Sequence, residues 1–278
     1  MTEKELKDEN PWKEVAKMLN PNEEDCLFRD ESKEWYVCSD DKNWIRDFNN
    51  ECKKKEFRIV TNTPPEPWRG NPLKANLILL SLNPGYDQNI NESLAKLLQS
   101  NETVRKELVD FRRKTLKLDA VSFMPEKDNK EPISCFEAED MLSGWYWTKK
   151  FKELREASGI KEESDFYKRI ALVEFHGYSS MNYHEWYGNQ PTHLKSQDFN
   201  KLLIRHIIET RKDVCFLVLR SWEIWKKLLD DYEKDLVENN KKLFFINKNP
   251  RCQYITEKNL TTEVWKKVLE AVNRKPID

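Results

Sequence analysis

Four short apolar runs constrain the fold of this 278-residue chain more than any other feature. They occupy residues 76–82, 170–175, 214–219 and 243–246. None of them alternates cleanly between polar and apolar residues, which is typical of strands buried on both faces. Segments with apolar residues at helical spacing, such as Leu94, Leu97 and Leu98, separate the runs. The alternation of strands and helices predicts an α/β fold with three layers, α/β/α, around a central four-stranded parallel sheet.

The segments around these runs indicate a domain organisation. Residues 1–60 are rich in charge and tryptophan and contain no buried strand pattern, so we interpret them as an N-terminal extension that packs on the core. Residues 61–72 are dense in proline, which fixes its own backbone and restricts the preceding residue to extended conformations. We predict one α/β domain over residues 61–278, with a helical insertion at about residues 87–164.

The balance of charge excludes one class of nucleic-acid-binding protein. The chain has 48 Lys and Arg residues against 49 Asp and Glu residues, which leaves a net charge of −1. Bulk positive charge cannot hold such a chain on nucleic acid, but a local basic patch can. We interpret the basic stretches of the helical segments, such as residues 112–114, as solvated helix faces.

Composition also predicts a protein without a metal, a cofactor or a membrane span. The chain has only six glycines and neither a GxGxxG nor a Walker-type phosphate loop. Its cysteines form no CxxC pair and show no metal-ligand spacing with histidine. The longest apolar run, residues 77–82, is far shorter than the ~20 residues of a membrane span, and the charged first ten residues do not resemble a signal peptide. We expect a cytoplasmic monomer with reduced thiols.

A polar loop follows each apolar run. In open parallel sheets, ligands bind beyond the carboxyl ends of the strands. The Asn-Pro-Gly sequence after the first run is by itself only a turn signal. Its position at the end of the most hydrophobic run, together with the other three polar loops, favours a binding site. The loops contain Asn83-Pro84-Gly85-Tyr86, His176, Arg220 and Asn249-Pro250-Arg251.

Two groups of residues in this region carry a resemblance to a known family. The sequence Leu-Ile-Leu-Leu-Ser-Leu-Asn-Pro-Gly-Tyr at residues 77–86, preceded by Trp-Arg-Gly-Asn-Pro at 68–72, resembles the opening of the uracil-DNA glycosylase superfamily. It is most similar to branches whose first motif reads Gly-x-Asn-Pro-Gly. The second motif of the superfamily, commonly His-Pro-Ser, falls on residues 249–251. The resemblance covers roughly residues 64–275 and implies a uracil-DNA glycosylase-like fold that hydrolyses the N-glycosidic bond of a base in DNA.

The resemblance implies roles for the first loop. Asn83 corresponds to the residue that positions the attacking water, a role open to an amide because the transition state is largely dissociative and demands orientation more than a strong base. Gly85 falls where uracil-specific enzymes carry a tyrosine that excludes the thymine methyl group, so glycine leaves room for a bulkier base. Tyr86 or Phe175 would stack on the extruded base. Ser81 replaces the first glycine of the motif, and Pro84 completes the loop.

The resemblance also implies roles for the other loops, with two departures. Asn249 replaces the histidine that stabilises the departing base, so this donor is either missing or replaced, and Arg251, Arg220 or His176 could supply the positive charge. Glu174 stands where relatives use an amide to read the base edge, and a carboxylate offers only acceptors. Pro250 completes the substrate-binding set. Arg220 follows a buried strand directly, where a charge is either ion-paired or faces an anion.

Two functions follow from these features. The first is a DNA glycosylase-like hydrolase that acts on a deaminated or damaged base. The alternative is a relative with no catalysis, or with different catalysis, that uses the same cleft to bind a nucleotide, a nucleobase or nucleic acid. The loss of the second-motif histidine and the presence of Glu174 motivate the alternative.

Overall fold

The computed structural model describes residues 1–30, 33–125, 145–182, 194–211, 213–219, 222–228, 244–246 and 254–275. The α-helices within these ranges are α1 (Glu3–Asp8), α2 (Trp12–Met18), α3 (Lys42–Glu51), α4 (Gln88–Ser100), α5 (Glu102–Leu116), α6 (Trp145–Ser158), α7 (Glu163–Tyr167), α8 (Lys195–Thr210), α9 (Trp222–Leu228) and α10 (Thr262–Asn273). The strands are β1 (Trp68–Arg69), β2 (Leu77–Ser81), β3 (Ile170–Glu174), β4 (Cys215–Val218) and β5 (Phe244–Ile246). Two 3-10 helices, Ser39–Asp41 and Lys55–Phe57, flank α3.

The described strands form one sheet in the order β1-β3-β2-β4-β5. The four predicted apolar runs supply β2 to β5, which pair in parallel, and the α/β class is confirmed. The prediction of a purely parallel, four-stranded sheet is wrong. Strand β1 adds a fifth, antiparallel member in which Trp68 lies opposite Val173 and Arg69 opposite Leu172. A two-residue strand next to Pro67 sits at the edge of the sheet, where proline is tolerated, and it is too short to leave an apolar pattern.

Apolar clusters cover both faces of the sheet. Successive side chains of a strand point to opposite faces. Accordingly, Leu77 and Leu79 of β2 belong to one buried cluster, whereas Ile78 and Leu80 belong to the other. Helices α6, α7 and α10 supply residues to the first cluster, and α1 to α5, α8 and α9 supply residues to the second. Burial on both faces explains why the strands appear in the sequence as continuous apolar runs.

The first sixty residues contribute to one of these clusters. Leu6, Trp12 and Ile45 are fully buried in the same cluster as Ile78. A polar contact adds to this packing, because the Tyr178 hydroxyl after β3 donates to the buried Asp41 carboxylate at 2.8 Å. The N-terminal segment is therefore joined to the sheet and to the loop after β3.

The region of the predicted helical insertion, residues 87–164, contains α4, α5, α6 and the start of α7. Residues 126–144 of that region lie outside the described ranges. Asp87 caps α4 by accepting from the backbone N–H groups of Asn89 and Ile90, at 3.0 and 3.2 Å. This cap determines where α4 begins, immediately after the loop that ends β2.

Two features of the described residues bear on the predicted cellular environment. None of their helices combines the length and the hydrophobicity that crossing a membrane requires. Cys26, Cys38, Cys52 and Cys215 are free. Burial raises the pKa of the Cys215 thiol to about 12, so this thiol stays protonated at neutral pH. The cytoplasmic location stays a prediction.

Gly70 occupies a position that excludes any side chain. Its φ is +68°, and a Cβ atom there would lie 2.6 Å from the backbone oxygen of Ile170. Gly159 has the same φ but no atom within 4 Å of a built Cβ. We expect Gly70→Ala to lower the free energy of unfolding by about 2–4 kcal/mol, because backbone strain and a clash with backbone add together. Gly159→Ala should lower the free energy of unfolding by about 1–2 kcal/mol, because it adds backbone strain without a clash. Urea unfolding midpoints of the two variants measure the difference, and equal effects would contradict the close approach.

Candidate active site

A cavity of about 530 Å³ lies at the carboxyl ends of β2 and β3. This volume falls within the range of small-molecule binding sites, about 300–1,000 Å³. Six of the predicted site residues line it, and they are Ser81, Asn83, Pro84, Gly85, Tyr86 and Glu174. The structure therefore brings the first predicted loop and the end of the second predicted strand to one cavity.

Backbone pairing continues beyond the ends of the strands and holds the two loops together. The N–H groups of Phe175 and His176 donate to the carbonyl oxygens of Ser81 and Leu82, at 3.0 and 2.7 Å. Further along, Gly85 and Ser180 form an isolated parallel bridge. The loop after β2 therefore runs beside the loop after β3.

Asn83 is held by its amide nitrogen. Nδ2 donates to Ser180 Oγ at 2.9 Å and to the carbonyl oxygen of Pro84 at 3.1 Å. A carbonyl oxygen only accepts, so the second bond identifies the nitrogen, and together the two bonds use both amide hydrogens. Ser180 Oγ in turn donates to the carbonyl oxygen of Asn182 at 2.9 Å. Within the described part of the chain, Asn83 Oδ1 accepts no hydrogen bond, so it is the atom that Asn83 can offer to a water or a ligand.

Gly85 leaves open space in the cavity wall. No atom lies within 4 Å of a Cβ built on it, and its backbone does not adopt a positive φ. The fold therefore does not require glycine at this position, in contrast to Gly70. Gly85 is exposed and lines the cavity, so a side chain at this position would have open space around it.

An ion-pair cluster of Glu66, Arg69 and Arg112 forms the charged wall of the cavity. Glu66 Oε2 accepts from Arg69 Nη2 at 2.7 Å, and Glu66 Oε1 lies 2.6 Å from Arg112 Nη1. The side chains of Arg69 and Arg112 are only 5% and 9% exposed. Burial by itself would raise the pKa of Glu66, but the charges of Arg112 and Arg69 outweigh it and lower the pKa below its ordinary value. The carboxylate is therefore ionised at neutral pH.

Glu174 is the last residue of β3 and is 5% exposed. Its N–H donates to the carbonyl oxygen of Pro67 at 2.9 Å, and its own carbonyl oxygen accepts from Asn200 Nδ2 at 2.8 Å. It pairs with Ser81 in the parallel register. Strand alternation puts Glu174 on the same face as Leu172, and both residues line the cavity.

Phe175 and His176 lie outside the cavity lining. Phe175 packs edge-on against Trp225 with 5.6 Å between ring centroids. The fully buried His176 ring lies 2.8 Å from Gln197, measured from Nδ1 to Nε2. Burial lowers the pKa of His176 well below its ordinary value, so the ring is neutral. Of the two predicted stacking residues, Tyr86 lines the cavity and Phe175 does not, and His176 brings no positive charge to it.

Four predicted site residues lie outside the described ranges, and they are Arg220, Asn249, Pro250 and Arg251. Their roles stay predictions. Among the residues that are described, no three His, Cys, Asp or Glu side chains group in a way that could hold a metal ion.

The structure adds cavity residues that the sequence interpretation missed. Arg112 is buried and faces Glu66, which corrects the interpretation of residues 112–114 as a solvated helix face. The spacing of Arg112 in the sequence could have predicted its burial. Leu108, Arg112 and Leu116 are four residues apart and share the buried stripe of α5. The N-terminal segment also reaches the cavity. The further lining residues include Leu27, Phe28, Glu66, Arg69, Tyr146 and Trp147.

Comparison of the chain with protein-family models, with curated proteins and with solved structures gives no match.

Proposed function

We propose that this chain is a DNA glycosylase-like hydrolase that cleaves the N-glycosidic bond of a deaminated or damaged base, and that its fold is of the uracil-DNA glycosylase type. The position of Asn83 carries the proposal. Its amide nitrogen is bound to Ser180 and Pro84, which leaves Oδ1 as the acceptor at a cavity large enough for a base. An acceptor held in this way can orient one water molecule.

Beyond orienting this water molecule, the Asn83 side chain has little to do in the reaction. As the bond between the sugar C1′ and the base nitrogen breaks, both electrons leave with the base. The oxygen of the positioned water bonds to C1′, and the proton that the water releases neutralises the departing base. Because the transition state is largely dissociative, orienting the water and stabilising charge lower the barrier more than a strong base does.

The sheet supports this proposal. The chain leaves β2 for β3 on one side and later places β4 on the other side of β2. Ligands of open α/β sheets bind beyond the carboxyl ends of the strands near such a reversal. Tyr86 and Tyr146 line the cavity without being buried, and they offer aromatic surface for stacking on an extruded base.

Charge in the cavity favours a second candidate, a protein that binds a free nucleobase. The described lining contains three carboxylates, Glu66, Asp87 and Glu174, against the guanidinium groups of Arg69 and Arg112. Proteins that follow the DNA backbone neutralise phosphates with Lys and Arg. Tight binding of a nucleobase, without affinity for single-stranded or duplex DNA, would favour this candidate over the hydrolase.

Substitution of Gly85 tests whether the open space admits a base. Gly85→Tyr should leave the unfolding midpoint nearly unchanged, because the position is open and its φ is not positive. The tyrosine ring would occupy part of the cavity and reduce purine binding by about 10-fold or more, the cost of overfilling a packed site. Calorimetric titration with nucleobases measures the effect. Unchanged affinity in the folded variant would place the base elsewhere.

The hydrolase itself is tested by incubation of the full chain with oligonucleotides. Single strands and duplexes that carry uracil, hydroxymethyluracil, hypoxanthine or 8-oxoguanine cover small and large bases. The expected result is an abasic product from at least one of them, detected by strand cleavage in alkali. No product from any substrate would overturn the hydrolase proposal.

A further inference from the structure

A base that is attached to DNA brings phosphates with it, and the described lining of the cavity is poorly suited to bind them. Its two cations, Arg69 and Arg112, are bound to Glu66. The N-terminus of α4 would attract an anion, but the carboxylate of Asp87 already accepts from its N–H groups. The phosphates that flank the base therefore need a surface outside the cavity.

A basic segment, residues 53–58, follows α3 and lies next to the cavity. Residues 51–58 contain four cations and the two carboxylates of Glu51 and Glu56, so they carry a charge of +2 in a chain whose net charge is −1. Within the described part of the chain, Lys53, Lys54 and Arg58 form no ion pair. The cations of the segment are all exposed, and they are Lys53, Lys54, Lys55 and Arg58.

Two backbone hydrogen bonds join this region to the loop after β3, which forms one side of the cavity. The N–H of Asn182 donates to the carbonyl oxygen of Glu56 at 2.9 Å, and the N–H of Val60 donates to the carbonyl oxygen of Ser179 at 2.9 Å. Ser179, Met181 and Asn182 line the cavity. Met181 is 37% exposed and offers an apolar contact at the mouth. A strand whose base enters the cavity can therefore reach the basic segment with its next phosphates.

We infer that the basic segment binds the phosphates next to the target base and so holds the DNA strand at the cavity. Lysine binds phosphate as a point charge, and contacts with phosphates fix the position of a strand without reading its sequence. The segment supplies, outside the cavity, the free positive charge that the described lining does not offer. This inference rests on the proposed function, because it takes the cavity to be the base site.

A double variant, Lys53→Gln with Lys54→Gln, tests the inference in the full chain. The probe is a fluorescent single strand of fifteen thymidines, and its binding is measured by anisotropy over a range of salt concentrations. We expect the affinity at low salt to fall by about 10-fold or more. The slope of log K against log salt should become shallower by about 1.4, because each phosphate of a single strand contributes about 0.7. No binding by the wild-type chain at low salt, or an unchanged slope in the double variant, would overturn the inference.

A control variant, Lys74→Gln with Lys275→Gln, makes the same change of charge at the opposite edge of the sheet. Both lysines are exposed. They lie near the amino end of β2, where Asn76 Nδ2 donates to the carbonyl oxygen of Lys275 at 3.1 Å. The control variant should keep the affinity and the salt slope of the wild-type chain. Equal losses in the control and double variants would show that net charge alone sets the affinity, and would overturn the inference.

Anionic lipid is another partner that a basic segment can attract. Sedimentation with vesicles of phosphatidylserine and phosphatidylcholine measures this binding. We expect the double variant and the wild-type chain to bind the vesicles equally. If the double variant loses vesicle binding and keeps its affinity for the oligonucleotide, the segment binds membranes and the inference is overturned.

The excision assay separates this inference from the proposed function. The double variant should show a higher KM and a nearly unchanged single-turnover rate at saturation, because the lysines bind the strand and not the reacting atoms. If the double variant excises a base with the wild-type KM, the hydrolase proposal stands and the role of the basic segment fails. If oligonucleotide affinity falls as expected but no abasic product forms from any substrate, the role of the segment stands and hydrolysis fails.

Discussion

Asn83→Ala is expected to lower the single-turnover rate of base excision by about 100–1,000-fold, the loss typical of removing one positioned polar group from an active site. The substitution removes Oδ1, the acceptor that orients the water. It also removes the two bonds from Nδ2 to Ser180 and Pro84. The folded state should persist, because Asn83 is only half-buried and the backbone pairing of the loops does not involve its side chain. Rapid-quench measurement under enzyme excess isolates the chemical step.

Two further variants make the result specific to Asn83. Asn91→Ala removes another amide from the cavity lining and should change the rate only a few-fold, because the bonds that hold Asn83 go to Ser180 and Pro84 and not to Asn91. Asn83→Asp keeps an oxygen acceptor and should retain more activity than Asn83→Ala. Excision by Asn83→Ala at the wild-type rate would exclude Asn83 from the reaction.

Glu66→Ala should have the largest effect on stability. It leaves Arg69 and Arg112 buried at the cavity wall without their shared carboxylate. Removing one partner from a buried ion pair costs about 3–5 kcal/mol, so the unfolding midpoint should fall by about 10 °C. Differential scanning calorimetry measures the shift. Glu102→Gln, which removes an exposed ion pair with Lys106, is the control and should leave the midpoint nearly unchanged.

The ion-pair cluster of Glu66, Arg69 and Arg112 also predicts how the stability of the fold changes as the pH falls. The pKa of Glu66 in the folded chain is below its ordinary value of 4.5. Its contribution to stability is therefore complete above pH 4.5 and is lost as the pH falls through the lower folded value. Glu66→Ala should flatten the loss of stability in this acid range. If Glu66→Ala unfolds at the wild-type temperature and loses stability in acid as the wild-type chain does, the claim that Glu66 stabilises the fold through a buried ion-pair cluster is contradicted.

The main strands were predictable because burial on both faces leaves continuous apolar runs. The edge strand β1 was not, because two residues beside Pro67 carry no such pattern. The contribution of residues 27 and 28 to the cavity could not be predicted either, because that contact joins segments far apart in the sequence.

The residues of the site also divide into those that the sequence predicted and those that it did not. Ser81 to Tyr86 and Glu174 meet at one cavity because the carboxyl ends of parallel strands lie at the same edge of the sheet. Phe175 directly follows Glu174, and strand alternation turns it toward the opposite face, where it contacts Trp225. The loop position alone therefore does not decide which of two consecutive residues lines the cavity. Arg112 was missed because its charge concealed its place on the apolar stripe of α5.

The most direct test of the cavity as a base site is a crystal structure of the chain with an oligonucleotide. A 2′-fluoro nucleotide at the target position resists hydrolysis and keeps the base attached. The predicted result is an extruded base in the cavity beside Gly85 and Glu174, with a water molecule bound to Asn83 Oδ1 and directed at C1′. A base bound elsewhere, with the cavity left empty, would contradict the proposed function.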